Sequence, residues 1–217
     1  MDKQVWTYAA AWLAEQEMPL LPLFDEEPDS QVISCLQQTA GGALVQTSAQ
    51  VLACKGLVPR SIFLKACASE KELHMAHGHC RYLAENAEEI KKLDGLVGQY
   101  LPEGYLEDIA IRVDPNGSGE FTPETIPTFA RLIRRTDNLA VRAVFLPFDQ
   151  NGDLSRQAKD AYSLVKKIRS DLPCMLHAFC FEGLLKPLMQ GDSELLKTMQ
   201  MLASLNDTSL YASFFIS

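Results

Sequence analysis

Short apolar runs rich in leucine, isoleucine, valine and phenylalanine alternate along the whole chain with polar segments whose apolar residues recur at helical spacing. The runs at Pro19–Phe24, Ala43–Gln46, Ser61–Ala66, Arg81–Ala84, Glu107–Val113, Leu139–Pro147, Pro173–Phe181 and Ser209–Ile216 read as buried strands. An amphipathic helix over about Val5 to Gln16 precedes them, carrying a stripe of Trp6, Tyr8, Trp12 and Leu13. Further helices are predicted from near Asp29, Ser48, Ser69, Ala87, Pro123, Ser155, Glu182 and Ser193, several behind a side chain able to cap the first turn. The clearest starts are Ser69-Glu-Lys-Glu and Asn86-Ala-Glu-Glu, with acids where the helix dipole favours them. Gly41-Gly42, Lys55-Gly56 and His77-Gly78 close helical stretches, where a left-handed residue is wanted, so these glycines read as helix stops.

Strands alternating with helices predict parallel βαβ units, and eight strands favour a closed (β/α)8 barrel of the TIM type over an open doubly wound sheet. A chain of 217 residues with 47% hydrophobic content suffices for one such core, so residues 1–217 are expected to form a single domain, an N-terminal helix (1–17) followed by the barrel (18–217). In a barrel of this kind chemistry sits where the carboxyl ends of the strands meet.

Charge and composition narrow the partners. With 28 acidic against 20 basic residues the net charge is -8, which argues against nucleic acid and anionic membranes as partners. No run reaches the length of a membrane span and no apolar signal core follows Met1-Asp2-Lys3, so a soluble, cytoplasmic protein is expected. Cys35, Cys54, Cys67, Cys80, Cys174 and Cys180 are scattered through apolar runs without a CxxC pair, the pattern of buried reduced thiols.

Several residues invite chemistry. Lys65 ends the third strand, where it would face a pocket as a candidate for covalent imine chemistry, against the blander readings of a rim lysine or a partner for Asp25. His74, His77, His79 and Cys80 supply zinc-type donors, but their spacing straddles a helix end and the strand's amino end, so no metal is expected. Asp149-Gln-Asn-Gly-Asp opens like a calcium loop yet has Leu154 at its sixth position and Asp160 at its twelfth, and reads better as a turn. Asp114-Pro-Asn-Gly-Ser-Gly looks like a phosphate cradle and equally like ordinary turn sequence. His177, beside Phe179, is a candidate base or a packed core histidine.

Read as a succession of units, Glu27-Pro-Asp-Ser-Gln-Val-Ile-Ser-Cys-Leu and then GGALVQTSAQVLACKGLVPRSIFLKACASEKELHMAHGHCRYLAENAEEIKKL resemble the ornithine/lysine/diaminopimelate/arginine decarboxylase family in order and spacing. Asp108-Ile-Ala-Ile-Arg-Val-Asp resembles that family's LLLRI strand. The resemblance implies the alanine racemase-like barrel, which in that family holds pyridoxal phosphate as a Schiff base on a first-strand lysine and is completed by a C-terminal β-domain. It also implies departures. Asp25 falls on the lysine, Pro147 on the histidine that stacks on the coenzyme ring, His177-Ala-Phe-Cys-Phe on the DIGGG phosphate turn, and the chain stops shortly after Ser213, the position of the EPGR acid. Of the family's site positions Arg112 persists, and burial of an arginine calls for an anionic partner, expected to be Asp25.

These readings converge on a degenerate relative without a coenzyme, without catalytic residues of the family's type, without the β-domain and without a metal, acting by association with a homologous decarboxylase subunit or with itself. The alternative is a small-metabolite-binding protein or enzyme using Asp25, Lys65, Arg112, Asp149 and His177 around an anionic ligand at the strand ends, with decarboxylase- or racemase-like activity among its forms.

Overall fold

The computed structural model describes residues 20–39, 41–65, 69–115, 117, 119–149, 151–172, 176, 178–183 and 211–216, with isolated positions at 11, 15 and 197. The expected N-terminal helix, the expected helix from Ser193, His177, Cys67 and Cys174 lie outside the described residues.

Eight strands close into a parallel barrel in sequence order: β1 (Leu20–Phe24), β2 (Ala43–Val45), β3 (Ile62–Lys65), β4 (Arg81–Ala84), β5 (Glu107–Arg112), β6 (Leu139–Pro147), β7 (Ala178–Glu182) and β8 (Tyr211–Ile216). Closure is made by β8 pairing with β1, with Leu20 opposite Phe214. Between strands run α1 (Ser30–Gln38), α2 (Ser48–Ala53), a 3-10 turn (Pro59–Ser61), α3 (Glu70–Ala76), α4 (Ala87–Tyr100), α5 (Ile126–Ile133) and α6 (Leu154–Asp171). Seven of the strands lie within the span expected from their apolar runs; β7 extends one residue further, to Glu182, which the sequence reading took as a helix start and which the pairing of Pro147 with Glu182 keeps in the sheet. The helix starts follow their caps: Asp29, Thr47, Ser69, Asn86 and Asp153 each accept from a backbone N–H of the first turn.

Strand alternation splits the apolar residues into two cores. Leu21, Leu44, Phe63, Leu83, Ala110, Ala143, Phe145, Ala178 and Cys180 point inward and fill the lumen, where the Phe63 and Phe145 rings meet edge to face at 4.9 Å. Their adjacent residues, such as Leu64, Tyr82, Ile109, Val144 and Phe181, point outward into the layer shared with the helices. The register shifts by one between Ile109/Ala110 and β6, so Arg142 is the extra residue of a bulge. That bulge lets Arg142 reach Asp108 at 3.2 Å, while Arg81 approaches the other oxygen of Asp108 at 3.6 Å. An ion cluster therefore lies at the amino end of the barrel.

The glycines depart from expectation in an informative way. Gly78 has φ 73° and does end a helical stretch, but Gly41, Gly42 and Gly56 do not adopt positive φ. They are required by close approach. A Cβ on Gly42 would run into the Ser61 carbonyl and a Leu21 methyl, and one on Gly41 would lie 2.8 Å from the Leu20 carbonyl. Cys54, Cys80 and Cys180 are buried and Cys35 half-buried, none of these four in a disulfide, and burial pushes the Cys54 thiol up to about 11.

Candidate functional site

At the carboxyl end of the barrel, alternation continues the lumen rows by one more inward position per strand: Asp25 past β1, Gln46 past β2, Lys65 on β3, Glu85 past β4, Arg112 on β5, Pro147 on β6 and Glu182 on β7. Apolar residues fill the layer below, so charge meets at the mouth. Arg112 Nη1 donates to Glu85 Oε1 at 3.0 Å, and Nη2 lies 2.5 Å from Glu182 Oε2. A single guanidinium thus bridges carboxylates from β4 and β7 across the opening. The Glu182 side chain is 14% exposed and that of Arg112 33%, so the bond between them is largely withdrawn from water.

Burial lowers the proton affinity of Arg112, but the attraction of Glu182 and Glu85 outweighs it and the guanidinium is held above its ordinary range. For Glu182 burial dominates and pushes its carboxyl up, opposed by Arg112 and then by Lys65. Lys65 therefore acts on Glu182 and not, as one sequence reading had it, on Asp25. The expected Arg112–Asp25 pair does not form either. Asp25 is exposed and accepts from Gln46 Nε2 at 2.8 Å. The strand ends explain the difference: Gln50 Nε2 donates to the Phe24 carbonyl and its Oε1 accepts from Gln46 N–H, which ties β1 to the start of α2 and leaves Asp25 beside β2.

Beside the Arg112 bridge, over β4 to β6, opens a cavity of about 620 Å3 lined by Glu85, Asn86, Arg112, Asp114, Glu120 and Asp149 among others, with Pro147 and Phe148 as its apolar wall. Asp149 accepts from Asn151 N–H at 2.9 Å, so the calcium-like stretch is a turn leaving β6. In the Asp114-Pro stretch, Gly117 donates its N–H to the Asp114 carbonyl at 3.3 Å and has φ 79°, a backbone hydrogen bond of the kind that turns make. Among the described residues no three His, Cys, Asp or Glu side chains converge as a metal site. His74, His77, His79 and Cys80 sit at the opposite, amino end of the barrel.

Of the five residues singled out from the sequence, Arg112 and Asp149 line this cavity, Lys65 joins the mouth through Glu182, Asp25 stands apart, and His177 lies outside the described residues. Of the carboxylates that hold Arg112, Glu85 was given no role and Glu182 was taken for a helix start, although each falls two residues after a lumen position (Leu83, Cys180) and strand parity alone aims them inward. One alignment also shifts. Ala178–Phe181, matched to the family's glycine-rich turn, lies within β7, and the backbone leaves that strand at Gly183, φ 85°.

No family model and no curated protein sequence matches the chain. Solved structures do. Diaminopimelate decarboxylase from Helicobacter pylori superposes with a TM-score of 0.71 at 15% identity, over 97% of this chain and 61% of that one. Arginine decarboxylase from Paramecium bursaria Chlorella virus gives 0.71 at 11% identity (98% and 61%), and ornithine decarboxylase from Entamoeba histolytica 0.70 at 12% (98% and 63%).

The chain has the barrel fold of the amino-acid decarboxylases.

It spans about three fifths of the length of those three enzymes. At such identities the fold is shared and the site must be argued from its own residues. A phosphorylated coenzyme needs an amine to form its imine and cationic or N–H donors around its phosphate. Here four carboxylates (Glu85, Asp114, Glu120, Asp149) line the cavity, and its guanidinium is already bound by two acids.

Proposed function

We propose that this chain is a decarboxylase-type barrel that does not carry pyridoxal phosphate as a Schiff base and that acts by association, with a decarboxylase-type partner or with a second copy of itself. The observation that supports the reading is the Glu85–Arg112–Glu182 bridge: the mouth's guanidinium is spent on two of the chain's own carboxylates, where a bound phosphate or substrate carboxylate would need it free. Asp25 at the end of β1, where the family resemblance expects the imine-forming lysine, supports it from the sequence side, because a carboxylate cannot condense with an aldehyde.

Two measurements test the reading. Purified protein mixed with the coenzyme and treated with borohydride should show no reducible visible band and no pyridoxyl mass adduct on any peptide; an adduct, on Lys65 above all, refutes the coenzyme half. Sedimentation of the chain alone and mixed with an ornithine, lysine or arginine decarboxylase should show a homodimer or a mixed species. A strict monomer in both samples refutes the association half.

The acid-lined cavity favours a second reading in which a small molecule binds at the strand ends, with the sign of charge reversed from the sequence expectation. Four carboxylates suit an amine better than an anion. Thermal shift with a diamine against a dicarboxylate separates the two.

A further inference from the structure

Glu107 opens β5 at the amino end of the barrel, the end remote from the mouth, and its side chain faces outward into the helix layer. It is 2% exposed. The nearest basic atom is Nδ1 of His77, the C-cap of α3, at 3.7 Å from Glu107 Oε2. That gap is too long for a hydrogen bond, and neither of these buried atoms has a hydrogen-bond partner elsewhere. Leaving both in that state is costly, and a shift of less than an ångström would join them.

The surroundings offer the carboxylate little else. Tyr105, on the approach to β5, hydrogen-bonds to it and sets its ring edge against the His77 imidazole at 5.2 Å. Asp108, the next residue, repels it, and the charge of Asp108 is already engaged by Arg81 and Arg142 on the lumen side. From α4, Asp94 is occupied by Asn138, whose carbonyl accepts the Glu107 N–H at 2.8 Å. Among the described residues no lysine or arginine pairs with Glu107. Burial first, and Asp108 second, push its carboxyl up to about 7.

We propose that a proton held between Glu107 and His77 latches the corner between α3 and β4 onto the base of β5, and that loss of this proton loosens the corner. With the proton present, a closure of less than an ångström turns the 3.7 Å approach into a hydrogen bond between the carboxyl group and the imidazole. Without it, a buried anion faces Asp108 with only neutral donors beside it. The folded state binds this proton more tightly than the unfolded chain does, so the stabilisation is complete below the ordinary glutamate range and is lost as pH rises through neutrality. The latch stands whether or not the proposed role of the mouth is correct, because none of its residues lies there.

The test is urea unfolding of the whole chain, parent and Glu107→Gln, at pH values on either side of neutrality. The parent's unfolding constant should rise on the order of 10- to 100-fold more than the variant's on going from the acid to the alkaline buffer. Equal pH slopes in the two proteins overturn the proposal. Should Glu107→Gln fail to fold, hydrogen exchange on the parent decides instead. Protection of the amides at 77–80 and 107–108, corrected for intrinsic rates, should fall selectively at the higher pH. Unchanged protection there overturns the latch.

Discussion

Removing the guanidinium of Arg112 exposes how much of the mouth's stability the bridge carries. In Arg112→Ala the carboxylates of Glu85 and Glu182 lose their shared cation, but they do not lose equally. The Glu85 side chain is 43% exposed and can turn to solvent, so its contact counts as a surface pair of about 0.2–1 kcal/mol. Glu182 is 14% exposed and stays behind as a nearly buried charge; breaking a buried pair costs about 3–5 kcal/mol, which the one-third exposure of Arg112 discounts. A net loss of about 2–3 kcal/mol follows. For a chain of this size that lowers the melting temperature by roughly 5–10 °C, measurable by thermal circular dichroism. Adding Glu182→Gln to Arg112→Ala removes the orphaned charge and should restore about 1–2 kcal/mol, whereas adding Asp25→Asn, the partner expected from sequence, should restore nothing. The variant should also become more sensitive to pH. Without Arg112 the Glu182 carboxyl is pushed further up, so the variant is least destabilised at acidic pH and loses stability as pH rises. A melting temperature within about 1 °C of the parent, or rescue by Asp25→Asn, refutes the reasoning.

Three further substitutions probe other parts of the fold. Gly42→Ala drives a methyl into the Ser61 carbonyl where β2 and β3 approach, and should lower stability by about 1–3 kcal/mol in urea titrations; a neutral result would show that this approach can relax. Asn86→Ala removes the cap on Glu89 N–H (2.9 Å) at the start of α4 and should cost about 1 kcal/mol, with Asn86→Asp restoring it. Asp108→Ala takes the counter-charge from Arg81, whose side chain is 4% exposed, and should cost about 2–3 kcal/mol; Asp108→Asn, which keeps the shape but not the charge, should recover only part of it.

The strands were legible because β1 to β7 are largely buried on both faces, which forces near-continuous apolar runs. The caps were legible for a local reason, since Ser69 and Asn86 bond to amides three residues away. Roles that depend on neighbours across the sheet were not. Gly41 and Gly42 look like helix stops in sequence, yet what demands them is a carbonyl from across the sheet, Leu20 of β1 for Gly41 and Ser61, just ahead of β3, for Gly42. Arg112 was recognised as needing an acid, but the choice among Asp25, Glu85 and Glu182 turned on which strand ends stand side by side. Glu107 reads as the first polar residue of a strand. Its meeting with His77 is set by how α3 packs over the barrel's base.

Sequence alone therefore determined what is written in nearest neighbours and in period: eight parallel strands, their order, the helix starts near Asp29, Ser48, Ser69, Ala87 and Ser155, and the placing of an arginine and a lysine at strand ends. The tertiary structure decided which charges share a low-dielectric space. That division has a physical origin: backbone hydrogen bonding and side-chain alternation act over a few residues, while ion pairing acts through space, and barrel closure brings Glu85 and Glu182, 97 positions apart in the sequence, onto one guanidinium.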